Sequence, residues 1–104
     1  MMQELKTEIM WKDYDFSNDC ATSLWKNGIN VFRIMQAREG YYAEYFDSGL
    51  FKSPFLTYHE VSRMAKEKFG ENSEDWLSAA KEFFVEDYKE QVAKRKRQLE
   101  NMSL

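Results

Sequence analysis

The chain reads as an α+β fold, and three features predict it. Two turn signals, Asn27-Gly28 and Glu39-Gly40, separate strand-like runs. A sharply capped helix follows at Thr57, and a long amphipathic segment comes after it. The expected architecture is an N-terminal helix, a small antiparallel three-stranded meander over about 20–47, and two C-terminal helices at about 57–69 and 73–100 packing on the sheet.

Met2, Leu5 and Ile9 recur at helical spacing with Glu4, Lys6 and Glu8 elsewhere around the turn, so residues 2–12 predict a short amphipathic helix. Asp13-Tyr14-Asp15-Phe16 alternates polar and aromatic, and Ser17-Asn18-Asp19 is loop or cap material that ends it. Residues 20–25 suit either a helix capped by Ser17 or a strand. Asn27-Gly28 supplies the positive φ values of a type I′ hairpin and favours the strand. In the next strand Ile29, Val31 and Met35 share one face while Phe32 and Ile34 share the other. Both faces are apolar, which predicts a central strand covered on both sides. After Glu39-Gly40, Tyr41, Ala43 and Tyr45 oppose Tyr42, Glu44 and Phe46 in the same manner.

Asp47-Ser48-Gly49 ends that strand. Residues 50–56 form an apolar loop in which Pro54, lacking an N–H, forbids a central strand. Thr57-Tyr58-His59-Glu60 has the capping-box pattern, and Leu56 and Val61 stand where a hydrophobic staple requires. Tyr58, Val61, Ala65 and Phe69 make the helix stripe, and Gly70 is placed to supply a left-handed C′ residue. Asn72 or Ser73 is expected to cap the last helix, with Glu74 and Asp75 facing the positive end of its dipole. Its stripe runs through Trp76, Leu77, Ala80, Phe83, Phe84, Tyr88 and Val92. Beyond it, residues 94–104 are a basic end expected to project or fray.

A chain of 104 residues fits one domain, 1–104. Hydrophobic residues make up 43% and charged residues 32%, the balance of a globular protein and not of a disordered one. Aromatics reach 16%, more than a core of this size hides, so some are expected to face a partner. Cys20 is the lone cysteine, which fits a reducing cytosol and a small buried hydrophobe. Neither a signal peptide nor an apolar run of bilayer length is visible, so a cytoplasmic protein with no membrane association is expected. The net charge of −3 divides into a mildly acidic body and a basic tail, Lys94 to Arg97. That split argues against a wholly basic nucleic-acid binder and against a strongly acidic DNA mimic.

Catalysis by general acid–base or nucleophilic chemistry brings together two or three tuned groups, and the chain offers one His and one Cys. His59 falls in the first turn of a capped helix, where a solvent-facing role is ordinary. Asp13, Asp15 and Asp19 match no metal-loop spacing, and the isolated glycines build no phosphate cradle. The expectation is therefore a non-enzymatic protein with no cofactor and no metal. Lys94, Arg95, Lys96 and Arg97 read first as dipole-compensating cations. They become a phosphate-contacting patch only if joined on one surface by aromatics and by Lys26, Arg33, Arg38 or Lys52. In outline the order strand, strand, strand, helix resembles the three-stranded DNA-reading domains of some integrase arms and plant transcription factors. The likeness is one of topology, because those sheets are rich in basic residues and this central strand offers Arg33 and Arg38 alone.

The functional expectation is a small binding protein, an inhibitor, adaptor or regulator such as a phage-encoded blocker of host machinery. It would dock on a protein partner through Tyr42, Phe46, Phe51 and Phe55, with a homodimer as a further possibility. The alternative is a nucleic-acid-binding module using Lys94 to Arg97 and the strand aromatics.

Overall fold

The computed structural model describes residues 8–15, 19–46 and 51–102, with the backbone alone at Tyr14, Asp15, Phe51, Lys52 and Met102. Strands β1 (Ile9–Asp15), β2 (Cys20–Lys26), β3 (Ile29–Gln36) and β4 (Gly40–Tyr45) are antiparallel neighbours in chain order. Two short strands, β5 (Phe51–Lys52) and β6 (Leu56–Thr57), both lie along β4, and the helices α1 (Tyr58–Phe69) and α2 (Trp76–Met102) follow.

The hairpin between β2 and β3 forms where Asn27-Gly28 predicts it, with φ of 52° and 79° at the two turn residues. Asn27 also ties down the start of β1. Its N–H donates to the Glu8 carbonyl at 2.8 Å and its Oδ1 accepts from the Glu8 N–H at 2.9 Å.

Three expectations need correcting. The helix expected over 2–12 is a strand from Ile9 onward, and residues 2–7 lie outside the described residues. Pairing with β2 satisfies the backbone, and the period-2 alternation sends Trp11 inward and Lys12 outward. Helical spacing through Ile9 loses to that. The three-stranded meander is thus the middle of a larger sheet. Its other edge comes from the expected loop: Tyr45 pairs with Phe51 and Glu44 with Lys52, then Tyr41 with Leu56 and Gly40 with Thr57. From Glu44 to Tyr41 is three steps on β4 against four from Lys52 to Leu56, so the edge strand carries a one-residue bulge. Pro54 sits in that bulge, and Ser53 Oγ accepts the Ala43 N–H in place of a backbone carbonyl.

The third correction concerns the sheet's covering. Both helices pack on one face, through Leu24, Phe32, Ile34, Tyr41, Ala43 and Tyr45. Among the described residues no helix lies on the other. Val61 and Ala65 of α1 and Ala79, Ala80 and Phe84 of α2 are fully buried, the alanines letting the helix backbones approach closely. Phe32 meets Trp11, Tyr45 and Tyr88 with ring centroids 5.2–5.7 Å apart. Tyr45 donates its hydroxyl to Asp87 Oδ2 at 2.8 Å and reaches the Phe84 carbonyl at 3.2 Å, pinning α2 to β4.

The α1 start is as expected. Thr57 Oγ1 accepts from Glu60 N–H at 3.2 Å, the Glu60 carboxylate accepts from Thr57 N–H at 3.4 Å, and Leu56 and Val61 are both buried in the core. Gly40 is less a turn residue than a site of close approach. A Cβ there would run into the Leu56 carbonyl and come within 2.7 Å of Thr57 Cα. Gly70 has positive φ, 111°, but with ψ of 158° it is in the extended glycine-only region and not the left-handed helical one. Phe69, expected in the stripe, is 45% exposed. The α2 cap is Asp75 and not Asn72 or Ser73. Its Oδ1 accepts from Ser78 N–H at 3.2 Å, and the helix begins at Trp76.

Candidate docking surface

The strand alternation that buries Phe32 and Ile34 turns Arg33 and Met35 of β3 to the outer face, with Ser23 and Trp25 of β2 beside them. Val31, expected to share a face with Ile29 and Met35, instead falls at a register shift between the Leu24–Phe32 and Trp25–Asn30 pairs and packs against the helix-side core. Lys12 and Ser23 are directly paired, as are Arg33 and Glu44, and Met35 and Tyr42. This face is finished by cation–aromatic and ionic contacts between neighbouring strands. Lys12 Nζ stands 4.1 Å from the Trp25 ring centroid, and the indole Nε1–H donates to Ser23 Oγ at 2.9 Å. Arg33 reaches Glu44 Oε2 at 3.2 Å and lies 5.0 Å over the Phe46 ring. Its Nε is buried without a hydrogen-bond partner, so the guanidinium uses only part of its donor capacity. The result is an amphipathic surface of aromatic rings carrying charges, with Met10 exposed at its β1 edge.

Of the residues the sequence singled out, Tyr42 and Phe46 share this face, Tyr42 half-buried and Phe46 45% exposed. Phe55 is 46% exposed but stands in the edge-strand bulge, and the Phe51 side chain lies outside the described residues. Lys94, Arg95, Lys96 and Arg97 are exposed and helical, on α2 beyond its last contacts with the core, and Lys94 pairs with Glu90 at 3.5 Å. Arg33 is on the opposite side of the sheet from that helix. Arg38 lies in the β3–β4 turn, whereas Tyr88 meets β3 and β4 through Phe32 and Tyr45, toward their other ends. The basic tail and these arginines therefore do not form one surface. Trp25, Lys12 and the Arg33–Glu44 pair went unnoticed in the sequence. The alternation of residues 11–15 was the signal, once taken as a strand.

On the helix side, Asp13 accepts from the Thr22 hydroxyl at 2.5 Å and pairs with Lys81 at 3.0 Å. Burial pushes its carboxyl up, but the Thr22 hydrogen bond and the Lys81 ammonium outweigh that and hold it below the usual range. It is an engaged carboxylate, poorly suited to taking up a proton. An open groove of about 490 Å³ beside it is lined by Trp11, Lys68, Lys81, Glu82, Val85 and Glu86. The Tyr45 hydroxyl is pushed well up by burial and by its Asp87 bond. His59 is exposed, Cys20 is buried, and among the described residues no group of three His, Cys, Asp or Glu side chains could hold a metal ion. No described helix is long and apolar enough to cross a membrane.

Compared with known proteins, the chain matches no family model, no curated protein and no solved structure.

Proposed function

We propose that the protein acts without chemistry of its own, as an inhibitor, adaptor or regulator, by docking another protein against the outer face of its sheet. One observation carries this reading: both helices sit on the inner face, leaving Trp25, Arg33, Tyr42, Glu44 and Phe46 side by side on the other. Aromatic rings and arginine are the residue types that dominate binding energy at protein interfaces. The Arg33–Glu44 pair can be covered by a partner without stranding either charge. Such a role fits the cytoplasm, where Cys20 stays reduced, and phage-encoded blockers of host machinery are its model.

The test is affinity capture from the native host with the full chain and with a Tyr42→Ala/Phe46→Ala variant. A protein partner retained by the first and lost from the second is expected. Nucleic acid as the sole captured species, released by moderate salt and lost on changing Lys94 to Arg97 to alanine, overturns the reading.

A further inference from the structure

The two edges of the sheet are finished differently. Along β4 the edge is broken into two-residue strands with Pro54 and a bulge between them. By contrast β1 is seven residues long, pairs with β2 on one side, and has no partner on the other among the described residues. Ile9 is 64% and Met10 53% exposed there. An uninterrupted edge of that length is a template for another strand.

The charged side chains in the middle of this edge stand above and below the plane of the sheet. Lys12 lies over Trp25 on the outer face, and Asp13 is held by Thr22 and Lys81 on the helix side. Neither blocks approach in the plane of the sheet. The backbone phase follows from the Asn27 N–H bond to the Glu8 carbonyl. By the alternation of an antiparallel pair, the peptide groups of Met10 and Lys12 face β2, and those of Ile9 and Trp11 face outward.

Glu8-Ile9-Met10-Trp11-Lys12 is self-complementary when read against itself antiparallel. With a two-fold axis at Met10, the outward peptide groups of Ile9 meet those of Trp11 in a second copy. Glu8 then faces Lys12, Ile9 faces Trp11, and Met10 faces Met10, each pair on one face of the sheet. An axis at Lys12 would oppose lysine to lysine, and one at Trp11 would set Ile9 against Asp13 with no charge pair. The groove flanking Trp11 carries Lys68 and Lys81 against Glu82 and Glu86, a balance that a two-fold copy meets without net repulsion.

We propose that β1 is a dimer edge: two copies pair β1 with β1 antiparallel about Met10, fusing their sheets with both helix layers on the same side. The pairing is independent of what the outer face binds, though it sets two such faces side by side.

Sedimentation and light scattering of the full chain over a range of concentrations should show a dimer. Glu8→Lys or Lys12→Glu alone puts like charges together at both symmetric positions and should raise the dissociation constant about tenfold or more. The two changes in one chain restore the wild-type value, and mixing the two single variants yields a heterodimer. Met10→Cys tests the register. Opposed residues of a non-hydrogen-bonded pair have Cα atoms about 4.5 Å apart, within disulfide reach, so mild oxidation gives a covalent dimer that Lys12→Cys does not give. A chain that stays monomeric at high concentration overturns the proposal. So do dimers indifferent to both charge reversals, or a Met10→Cys chain that does not cross-link.

Discussion

The inner and outer faces of the sheet come from the same strands but are completed by different physics. Inside, Phe32, Ile34, Val61 and Phe84 are wholly buried, and the polar atoms that enter, such as the Tyr45 hydroxyl, are spoken for. Outside, Lys12 covers Trp25 and Arg33 bridges Glu44 and Phe46, so long cationic side chains shield apolar surface while their heads stay near water. Cross-strand contacts of this kind shield the Trp25 and Phe46 rings on a face where no described helix lies.

Unfolding experiments can break that contrast or sharpen it. Phe84→Ala should cost about 3–5 kcal/mol in denaturant unfolding, since a fully buried ring leaves a cavity under both helices. A loss no larger than that of an outer-face variant would dissolve the distinction. Gly40→Ala should follow at about 1–3 kcal/mol, as its Cβ meets the β6 backbone and must push away the Thr57 cap with it. Tyr45→Phe should cost about 1–2 kcal/mol by removing the hydroxyl's bonds to Asp87 and the Phe84 carbonyl, with Gln91 left as the Asp87 partner. The tyrosine also sets an alkaline limit. Because its folded pKa is raised, its contribution is complete below the unfolded value near 10 and falls as pH rises above that; Tyr45→Phe should flatten the alkaline limb of the stability curve. Asp13 works in the opposite sense. Its folded pKa is depressed, so its contribution is present above the unfolded value of 3.8 and is lost as pH falls below that through the folded value; Asp13→Asn should remove that acid-dependent loss. Arg33→Ala should be the mildest, within about 1 kcal/mol by thermal melting, because a surface pair in water is worth little.

What was legible in the chain was local chemistry. Asn27-Gly28 needed positive φ, Thr57 and Glu60 needed each other, and the α2 stripe needed a core. The turn and the cap stand where their residues put them, and the stripe does so from Leu77 to Tyr88, while Trp76 at its start is 37% exposed. The edges were not legible. Ile9 fits a helical spacing as readily as an alternating one, and only pairing with a strand far along the chain decides between them. Likewise Pro54 rules out an unbroken strand but not one interrupted around it. At the candidate surface, Tyr42 and Phe46 share a face because alternation places them there. The partnerships of Lys12 with Trp25 and Arg33 with Phe46 are cross-strand facts, invisible until the register is known.

The bulge at Pro54 has a consequence for assembly. If β1 accepts a copy of itself, the fused sheet ends on both sides in the same broken edge, which offers no continuous row of peptide groups to a third chain. The molecule then has a valence of one for strand addition, and association stops at a closed pair where a protein with two open edges would grow into a fibre.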